Sequence, residues 1–519
     1  MHYGDFARRH ARRTPGKVAV IDRERHLSYS ELDYRTDRLA RALTARGAAR
    51  GDRIAFLGDN GHVPFEIMVS AAKAGFVYVP IDFRLTETEV LSIVQDCSPS
   101  VFVAGPNHIG IVDRVRPNAS SVTLWVSLGE NMADGYEPYE RKISEGDEET
   151  FDYAGDNGLL CILYTSGTTG RAKGVKISHH STIHNGMALA KAYAVDADTR
   201  FLMSLPYSAT GVVNHSSGPT LMMGGTVVFD EVRNFEARRF FSVIDRNRVS
   251  HCQLVPTMMF RLLDAPEWAE FDLTSLRTVG YGSAPIPPHR VERLIEAFGS
   301  VFVQAYGMTE TCSLATTLDW QEHNVVGTPR QHILASCGRA VPDAEIRIVN
   351  DDGQDVGQGE AGEVVVRAPW NTSGYWANEK QTRDLLKDGW LHTGDIGRMD
   401  AEEYLYIMDR KKDTVITGGS KVFSPEVEAA IASHPDVAEV AVIGLPDEQW
   451  GERVHAVVVT KPGRTVSSEE IVGHAAKGLS RYKLPKSVDF VAEIPKTSTG
   501  KYSKNALRAL AVASGPPAR

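Results

Sequence analysis

The chain is short of cysteine: five occur in 519 residues, at Cys97, Cys161, Cys252, Cys312 and Cys337. No two of them are spaced as C-x-x-C, and their number is odd. This pattern argues against a disulfide framework and against a structural zinc site built on cysteine pairs. We therefore expect a protein of a reducing compartment, the cytoplasm.

Long apolar stretches and an excess of positive charge are also missing. No run is long and apolar enough to cross a bilayer, and residues 1–5 lead into charged, helix-like sequence without the apolar core of a signal peptide. The net charge is −9. These features predict a soluble protein without a membrane span, and they argue against a general nucleic-acid binder.

What is present is an ordinary globular composition, with 42% hydrophobic and 24% charged residues. Helix and strand patterns alternate over the first 320 residues or so. Residues 28–31 (Ser-Tyr-Ser-Glu) have the pattern of a capping box that opens a helix, and strand-like runs follow at 54–57 and 76–81. Such alternation predicts an α/β fold with parallel sheets covered on both faces.

The pattern changes in the last third of the chain. Between residues 335 and 408, short apolar runs broken by Gly and Asp predict a small β-rich unit. After residue 409 the sequence is typical of a compact α+β unit, with a Gly-rich, charged linker at 417–421 near its start. The tail, residues 514–519, contains two prolines and is expected to be disordered.

A loop rich in glycine and hydroxyl groups carries the clearest chemical signal. It follows a buried-strand run at 159–164 and reads Thr165-Ser166-Gly167-Thr168-Thr169-Gly170-Arg171-Ala172-Lys173-Gly174. Glycines let backbone N–H groups approach an anion closely, hydroxyl groups add donors, and lysine adds positive charge. The spacing differs from that of the usual P-loop, G-x-x-x-x-G-K-[ST]. The segment therefore predicts a polyphosphate-binding loop of another kind.

This loop resembles the phosphate loop of the adenylate-forming superfamily, which includes acyl-CoA synthetases, adenylation domains and firefly luciferase. Five further motifs of the chain resemble other motifs of that superfamily. In chain order these motifs are Tyr281-Gly282-Ser283-Ala284-Pro285, Gln304-Ala305-Tyr306-Gly307-Met308-Thr309-Glu310, His392-Thr393-Gly394-Asp395, Asp409-Arg410-Lys411-Lys412-Asp413 and Pro495-Lys496-Thr497-Ser498-Thr499-Gly500-Lys501. Their order and spacing fit from near residue 10 to near residue 510. By this resemblance the chain is identified as a member, most similar to fatty-acid or aryl-acid CoA ligases.

The resemblance implies a two-domain architecture. The large N-terminal domain, residues 1–409, would contain two doubly wound α/β subdomains and a small β-barrel, and it would bind the nucleotide and the acid. The mobile α+β C-terminal domain, residues 410–519, would carry the catalytic lysine. Lys412 occupies the hinge position, about which the C-terminal domain is expected to turn between the two half-reactions.

The same motifs assign the nucleotide site. The residues expected to bind the nucleotide are Thr165, Ser166, Gly167, Thr168, Thr169 and Lys173 in the phosphate loop, Ser283, Ala284 and Pro285 in the adenine-contacting turn, Tyr306 and Gly307 in the next motif, and Asp395 and Arg410 at the ribose. Tyr306 would stack on adenine. An ionised carboxylate such as that of Asp395 can accept hydrogen bonds from two vicinal ribose hydroxyls.

Three residues are expected to be catalytic: Thr309, Glu310 and Lys501. Glu310 matches the Mg²⁺ ligand of the superfamily, with Thr165 as a second contact, and a hard cation prefers oxygen ligands. Thr309 would donate to the α-phosphate. Lys501 would stabilise the negative charge that develops during adenylation, which is the most effective place for a fixed positive charge.

The acceptor is indicated by a run near the start of the C-terminal domain. Gly418-Gly419-Ser420-Lys421-Val422-Phe423-Ser424-Pro425-Glu426-Val427-Glu428 resembles the G-G-x-N-V-Y-P-x-E-V-E run of acyl-CoA ligases, in which the glycines border the pantetheine path. Lys421 stands in place of the usual Asn, and Phe423-Ser424 in place of the usual Tyr-Pro. Gly418 and Gly419 are accordingly expected to bind CoA.

The acid pocket departs most from the superfamily pattern. Many fatty and aryl ligases carry a P-L-F-H-like run, and here Ser208 and Ala209 replace its aromatic and histidine gate. The pocket is expected to be lined by Tyr207, Ser208, Ala209, His215 and Gly282. Either its mouth is more open or the acid binds differently. For His215, a buried, hydrogen-bonded structural role is an equal alternative.

These expectations describe an ATP- and Mg²⁺-dependent ligase that activates a carboxylic acid as acyl-AMP and transfers the acyl group to CoA. One alternative is a relative that passes its activated acid to a nitrogen nucleophile. Such an enzyme forms an amide, or a diazo group when the acid is nitrite. The replaced gate residues are the feature that supports this alternative. A non-catalytic nucleotide-binding protein is disfavoured, because Lys501, Glu310 and the phosphate loop are all present. The expected partners are a small acid, ATP and CoA, and a homodimer is an assembly common in the superfamily.

Overall fold

The structure is a computed structural model that describes residues 2–129, 134–146, 158–165, 172–209, 213–230, 235–284, 286–496 and 502–513. The chain divides into two compact units. The first comprises Met1–Ile346 and Val366–His392, and the second comprises Arg347–Val365 and Thr393–Arg519. The second unit therefore includes residues before the predicted hinge at Lys412, namely Arg347–Val365 and the residues from Thr393 to the hinge. The boundary of the compact units thus differs from the domain boundary predicted at residues 409 and 410.

The helix Tyr29–Ala45 shows how local sequence determines an element. The side chain of Ser28 accepts a hydrogen bond from the amide of Glu31, and the carboxylate of Glu31 accepts one from the amide of Ser28. The predicted capping box is thus confirmed, and it satisfies amide groups that the first helical turn leaves unpaired. Leu32 and Leu39 lie on the buried face of this helix.

Helices connect most of the strands along the described chain. The α-helices are Asp5–Arg13, Tyr29–Ala45, His62–Ala74, Glu87–Cys97, Ile109–Val115, Tyr139–Glu145, His179–Ala192, Gly218–Met223, Ala237–Asn247, Pro256–Leu263, Pro288–Phe298, Glu379–Leu385, Ser424–Ala432, Ser468–Ala475 and Lys504–Ala513. Short 3-10 turns occur at Pro106–His108, Arg116–Asn118, Pro266–Glu270, Thr309–Thr311, Gln331–Ala335 and Arg481–Lys483, and a π-helical turn at Val213–Ser217. Within the described ranges, no helix combines the length and apolar character needed to cross a membrane.

The first unit contains a seven-stranded sheet among its described residues. Its strands are parallel except for the last pair, which is antiparallel. In sheet order they are Glu137–Pro138, Leu124–Ser127, Val101–Ala104, Arg53–Leu57, Val77–Ile81, Leu159–Thr165 and Lys173–Ser178.

Both faces of this sheet are buried. Val101 and Val103 belong to one hydrophobic cluster, whereas Phe102 and Ala104, which alternate with them along the strand, belong to another. Alternate side chains of a strand point to opposite faces, so each face packs against its own apolar layer. This arrangement confirms the predicted parallel sheet with two covered faces.

A nine-stranded sheet, counted over described residues, forms the other layer of the first unit. Its central strands are parallel, and antiparallel pairs close both of its edges. In sheet order the strands are Arg339–Ala340, Thr316–Leu318, Phe302–Tyr306, Thr278–Gly282, His251–Leu254, Arg200–Met203, Thr226–Phe229, Val18–Asp22 and Arg25–Ser28.

Two smaller sheets of five described strands each occupy the last third of the chain. The first has the order Glu345–Val349, Gly362–Arg367, Trp390–Met399, Leu386–Lys387, and Leu405–Arg410 also pairs with Trp390–Met399; its strands form the predicted small β-rich unit. The second has the order Ser420–Val422, Val415–Thr417, Gly451–Thr460, Val437–Asp447, and Ser487–Phe490 also pairs with Gly451–Thr460. With its helices, the second sheet forms the predicted α+β C-terminal unit.

Candidate active site

The two ends of the predicted phosphate loop are held together by a β-hairpin. The strands Leu159–Thr165 and Lys173–Ser178 are antiparallel, and Thr165 lies directly opposite Lys173 in their register. Both side chains are half-buried. Ser166, Gly167, Thr168 and Thr169 lie outside the described residues. The hairpin therefore positions the entry and exit of the loop, as a donor-rich anion site requires.

Glu310 occupies a buried 3-10 turn, Thr309–Thr311, beyond the strand Phe302–Tyr306. The hydroxyl of Tyr375 donates to Glu310 Oε1 at 2.7 Å. Among the described residues, this is the one hydrogen bond or ion pair that the carboxylate makes. Thr309 precedes Glu310 and is half-buried. A buried carboxylate that accepts a hydrogen bond on one oxygen can present its other oxygen to a divalent cation.

Tyr375 also connects Glu310 to the hairpin. The Nζ atom of Lys173 lies 5.2 Å from the centre of the Tyr375 ring, within the range of a cation–π contact. Two predicted site residues that are far apart in sequence are thereby linked through a third residue. Sequence reasoning missed Tyr375, because its loop has no periodic pattern that would single out one aromatic residue.

Two adjacent parallel strands bring the adenine turn and the Tyr306 motif to the same edge of the nine-stranded sheet. Gly282 lies opposite Ala305 in the register of these strands, and a Cβ at Gly282 would overlap the carbonyl oxygen of Ala305. A Cβ at Gly307 would likewise overlap the backbone of Ser313. Ligands of α/β sheets bind beyond the carboxyl ends of parallel strands, and these two glycines allow the backbone segments at that edge to pack closely.

The turn after Gly282 has an unusual backbone. Ser283 is exposed and has a φ of 70°, in the left-handed region, and Ala284 is half-buried. Pro285 lies outside the described residues. At the end of the neighbouring strand, Tyr306 is half-buried. Left-handed residues other than glycine are enriched at ligand-binding turns, where the surroundings compensate for the strain.

Tyr207, a predicted pocket residue, is buried in the core of the first unit. Its amide donates to Asn60 Oδ1 at 2.8 Å, and its hydroxyl lies 3.2 Å from Ser217 Oγ. Its ring packs against that of Phe229, with 5.9 Å between ring centres. Burial raises the pKa of Tyr207 well above its usual value, so its hydroxyl stays neutral. These contacts place Tyr207 in the hydrophobic core of the first unit.

The altered gate is described in part. The Ser208 hydroxyl is buried and has no hydrogen-bond partner among the described residues, and the amide of Ala209 donates to the carbonyl oxygen of Pro206 at 2.9 Å. Residues 210–212, which follow, lie outside the described residues. The prediction that Ser208 and Ala209 line the acid pocket stays a prediction.

His215 lies at the centre of the π-helical turn Val213–Ser217 and is buried. Its Nε2 is 2.5 Å from the hydroxyl of Tyr193, and its Nδ1 is 3.3 Å from Ser313 Oγ. Burial lowers its pKa to about 3, so the imidazole is neutral near pH 7. Both ring nitrogens of His215 are thus within hydrogen-bond distance of protein hydroxyl groups and the ring carries no positive charge, so its contacts match the structural alternative.

In the second unit, Asp395 and Arg410 are direct partners across an antiparallel strand pair. Arg410 Nε lies 2.7 Å from Asp395 Oδ1, and the amide of Asp395 is held by Thr393 Oγ1 at 3.0 Å. The carboxylate is buried, whereas the guanidinium is 44% exposed. The structure thus brings together the two residues predicted to contact the ribose.

Gly418 and Gly419 form the tip of a hairpin between the strands Val415–Thr417 and Ser420–Val422. Their φ values are 56° and 79°, a conformation that favours glycine. A Cβ at Gly418 would also come within 2.9 Å of the Trp450 ring. The two glycines therefore give the hairpin a narrow, exposed tip.

The predicted hinge and catalytic lysine lie elsewhere in this unit. Lys412 is exposed in the turn after the strand Leu405–Arg410. Lys501 lies outside the described residues. On either side of its loop, Lys496 and Tyr502 pair in an isolated antiparallel bridge, and Lys496 forms an ion pair with Glu439 at 2.8 Å.

Two family models match the chain. Residues 7–376 match the model described as AMP-binding enzyme, and residues 426–501 match that described as AMP-binding enzyme C-terminal domain.

Individual relatives match over nearly the whole length. The chain is 37% identical over 512 residues to an indoleacetate–CoA ligase of Aromatoleum aromaticum, covering 98% of each chain. It is 35% identical over 508 residues to a feruloyl-CoA synthase of Amycolatopsis, covering 97% of this chain and 98% of that one. Among solved structures, it resembles an amide bond synthetase from Marinactinospora thermotolerans with a TM-score of 0.87 and 30% identity, over 98% of this chain and 100% of that one.

Proposed function

Because the chain belongs to the family of AMP-binding enzymes, we propose that it activates an aromatic or aryl-alkanoic acid with ATP and transfers the acyl group to CoA. Family membership and the CoA ligase relatives confirm the prediction of an ATP-dependent, AMP-forming acid–CoA ligase. The choice of acid is carried by the whole-length similarity to an indoleacetate–CoA ligase and a feruloyl-CoA synthase. Both names denote an aromatic ring on a short carboxylate-bearing chain.

In the first half-reaction, a carboxylate oxygen of the acid attacks the α-phosphorus of ATP. A new O–P bond forms, the bond from the α-phosphorus to the bridging oxygen breaks, and pyrophosphate leaves with that electron pair. We assign the triphosphate to the loop between Thr165 and Lys173, which the hairpin holds opposite each other. We further assign the hydroxyl of Thr309 to the α-phosphate and Lys501 to the charge that develops there.

We assign Mg²⁺ to Glu310, with Thr165 as a second contact. The assignment is supported by the buried carboxylate, whose one partner among the described residues is a neutral phenol. When bound, Mg²⁺ would neutralise part of the phosphate charge. The described residues contain no group of three or more His, Cys, Asp or Glu side chains that could hold a metal ion. We propose that phosphate oxygens and water supply the remaining ligands, as is usual for Mg²⁺.

For the nucleoside, we propose that Asp395 and Arg410 bind the ribose and that Ser283, Ala284, Pro285, Tyr306 and Gly307 surround the adenine. The second half-reaction then needs a different acceptor surface. We propose that the chain turns at Lys412, which keeps residues 1–409 and 410–519 as the functional domains. The exposed tip at Gly418 and Gly419 would border the path of the CoA pantetheine. There the CoA thiolate attacks the acyl carbonyl, a C–S bond forms, the C–O bond to AMP breaks, and AMP leaves.

A second candidate is transfer of the same acyl-AMP to a nitrogen nucleophile. The specific observation in its favour is the structural likeness to an amide bond synthetase at 30% identity, together with the replaced gate at Ser208 and Ala209. An amine needs no pantetheine path, so this candidate leaves Gly418 and Gly419 without a role.

We also propose a cytoplasmic location and leave a homodimer as the assembly to be tested. The location is supported by five cysteines that are all free thiols, four of them buried. Such thiols persist in a reducing compartment.

The experiment is a measurement of pyrophosphate release from ATP over a panel of indoleacetic, hydroxycinnamic, benzoic and fatty acids and nitrite. Each is run with CoA, with an aromatic amine, and with neither. We expect the highest turnover and a thioester product with an aromatic acid and CoA. Turnover that requires an amine or nitrite and ignores CoA would favour the second candidate, and preference for a fatty acid would contradict the proposed acid class.

A matched pair of variants controls this experiment. Lys501→Ala is expected to lower the adenylation rate by about 100-fold or more, as loss of a transition-state electrostatic contact does. Lys496→Ala removes a lysine near the same loop whose described ion pair is with Glu439, and it should leave the rate nearly unchanged. Equal losses in both variants would show a general disturbance of the C-terminal unit.

A further inference from the structure

Residues 372–376, here called the bracing segment, run beside the strand Lys173–Ser178. The hydroxyl of Thr372 donates to the carbonyl oxygen of Lys176 at 2.7 Å. The amide of Trp376 donates to the carbonyl oxygen of Gly174 at 2.7 Å. The bracing segment is therefore fixed to the strand that leaves the phosphate loop.

The other side of the bracing segment holds Glu310. The amide of Thr372 donates to the carbonyl oxygen of Glu310 at 2.8 Å, which fixes the backbone of the 3-10 turn. The Tyr375 hydroxyl fixes the side chain, because it donates to Glu310 Oε1 at 2.7 Å. Backbone and carboxylate of Glu310 are thus both held by one short segment.

The ring of Tyr375 contacts the second charged group. Lys173 Nζ lies 5.2 Å from the ring centre, and neither Lys173 nor Glu310 forms an ion pair with any described residue. A direct Lys–Glu pair would neutralise both groups. With a neutral phenol between them, each charge stays available to a ligand of opposite sign.

We propose that Tyr375 is a positioning residue of the nucleotide site, with a separate task for its hydroxyl and its ring. The hydroxyl orients the Glu310 carboxylate for a divalent cation, and the ring supports the Lys173 ammonium for a phosphate. This inference rests on the proposed function, because that function supplies the cation and the phosphate. A residue that merely fills space would affect stability alone.

The test is calorimetric titration of Mg²⁺ into the full-length protein saturated with a non-hydrolysable ATP analogue, beside titration of the analogue in EDTA. Tyr375→Phe keeps the ring and removes the hydroxyl. We expect Mg²⁺ to bind about tenfold more weakly, the usual effect of losing a hydrogen bond to a metal-binding carboxylate. The affinity for the metal-free analogue should stay within about twofold, because the cation–π contact is kept.

Tyr375→Leu removes the ring as well as the hydroxyl. This variant should weaken Mg²⁺ binding as Tyr375→Phe does, and it should also weaken binding of the metal-free analogue by about threefold, the effect of losing a modest cation–π contact. Equal analogue affinities of the two variants in EDTA would overturn the task assigned to the ring.

Tyr136→Phe is the matched control. Tyr136 is buried, its hydroxyl donates to Asp113 Oδ1 at 2.8 Å, and it lies in the same unit. It therefore loses the same type of bond, and its Mg²⁺ affinity should equal that of the wild type. If Tyr375→Phe lowers only the melting temperature, as is expected of Tyr136→Phe, the inference is overturned.

The same data separate this inference from the proposed function. A wild type that binds the analogue and Mg²⁺ but turns over no acid contradicts the proposed function, while the variants still decide the role of Tyr375. A wild type that turns over acid while Tyr375→Phe binds Mg²⁺ normally contradicts this inference alone. A wild type without Mg²⁺-dependent analogue binding contradicts both.

Discussion

The carboxylates of Glu310 and Asp395 are both buried, yet they are held by different kinds of partner. The Glu310 carboxylate accepts a hydrogen bond from the neutral hydroxyl of Tyr375, in the first unit. The Asp395 carboxylate pairs with the guanidinium of Arg410, in the second unit. Each partner suits a different ligand.

The difference lies in the charge that remains. A phenol orients a carboxylate through a hydrogen bond and brings no opposite charge to it, so the contacts of Glu310 suit a cation. A guanidinium compensates the charge, so Asp395 is suited to accept hydrogen bonds from neutral hydroxyl groups such as those of ribose. We therefore expect the two buried acids to serve different ligands, Glu310 a cation and Asp395 the ribose.

Glu310→Gln tests most directly whether the Glu310 carboxylate serves a cation, and it should have the largest effect. Glutamine retains an oxygen that can accept from Tyr375 but has no charge for a cation. We expect the Mg²⁺-dependent adenylation rate to fall by about 100-fold, because metal stabilisation of transition-state charge is worth several kcal/mol. The melting temperature should change little, since the hydrogen bond is retained. Pyrophosphate release measures the first effect, and an activity close to that of the wild type would contradict the role of Glu310.

Asp395→Asn tests the other half of the comparison, with a smaller effect. Hydrogen bonds from ribose to a neutral amide are weaker than those to a carboxylate, so the KM for ATP should rise by about tenfold. The chemical step should be less affected than KM. Steady-state kinetics with ATP and 2′-deoxy-ATP provide the measurement. The wild type should discriminate strongly between the two nucleotides and the variant weakly, whereas an unchanged KM with a lowered kcat would argue against a ribose contact.

His215 extends the comparison from buried acids to a buried base, and its expected effect, on the free energy of unfolding, is the smallest of the three. His215 has no charged partner among its hydrogen bonds, and burial lowers its pKa to about 3, so it loses its charge instead of keeping it. The unfolded state, with a histidine pKa of about 6.5, binds more protons between pH 6.5 and 3. Stability contributed by the neutral imidazole is therefore fully present above pH 6.5 and is lost as the pH falls.

His215→Gln removes this titration. From pH 7 to pH 6, His215 should cost the wild type about 0.7 kcal/mol of unfolding free energy. The total loss over this pH range should therefore be smaller in the variant by about 0.7 kcal/mol. Urea unfolding of both proteins at the two pH values measures the difference. His251 and His323 also have pKa values lowered by burial, to about 4, so the wild-type slope includes their contribution. Parallel pH slopes in the two proteins would contradict a buried neutral His215.

Much of the fold follows from local signals. The capping box at Ser28 opens a helix as predicted, and the apolar runs at 54–57 and 76–81 are strands of the seven-stranded sheet. Glycines of the motifs also occur where the backbone requires them, as at Gly282 and Gly418. These features depend on a few neighbouring residues, so a single sequence is enough to predict them.

The side-chain partners within the site depend on contacts that the sequence does not display. Tyr375 is 65 residues from Glu310, and nothing in its own loop indicates that its hydroxyl will reach a carboxylate. The burial of His215 depends on Tyr193, 22 residues earlier, and on Ser313, 98 residues later. Motifs predict which residues gather, whereas tertiary packing determines how each is held.

The strand pairing of Asp395 with Arg410 has a consequence for the order of events in the catalytic cycle. Both residues precede Lys412, and they face each other across one antiparallel strand pair. If the chain pivots at Lys412, this pair stays on one side of the pivot, and the proposed ribose contact would be the same before and after the turn. The ribose would then be held continuously while pyrophosphate leaves and CoA binds, so AMP would stay bound until the acyl group has been transferred.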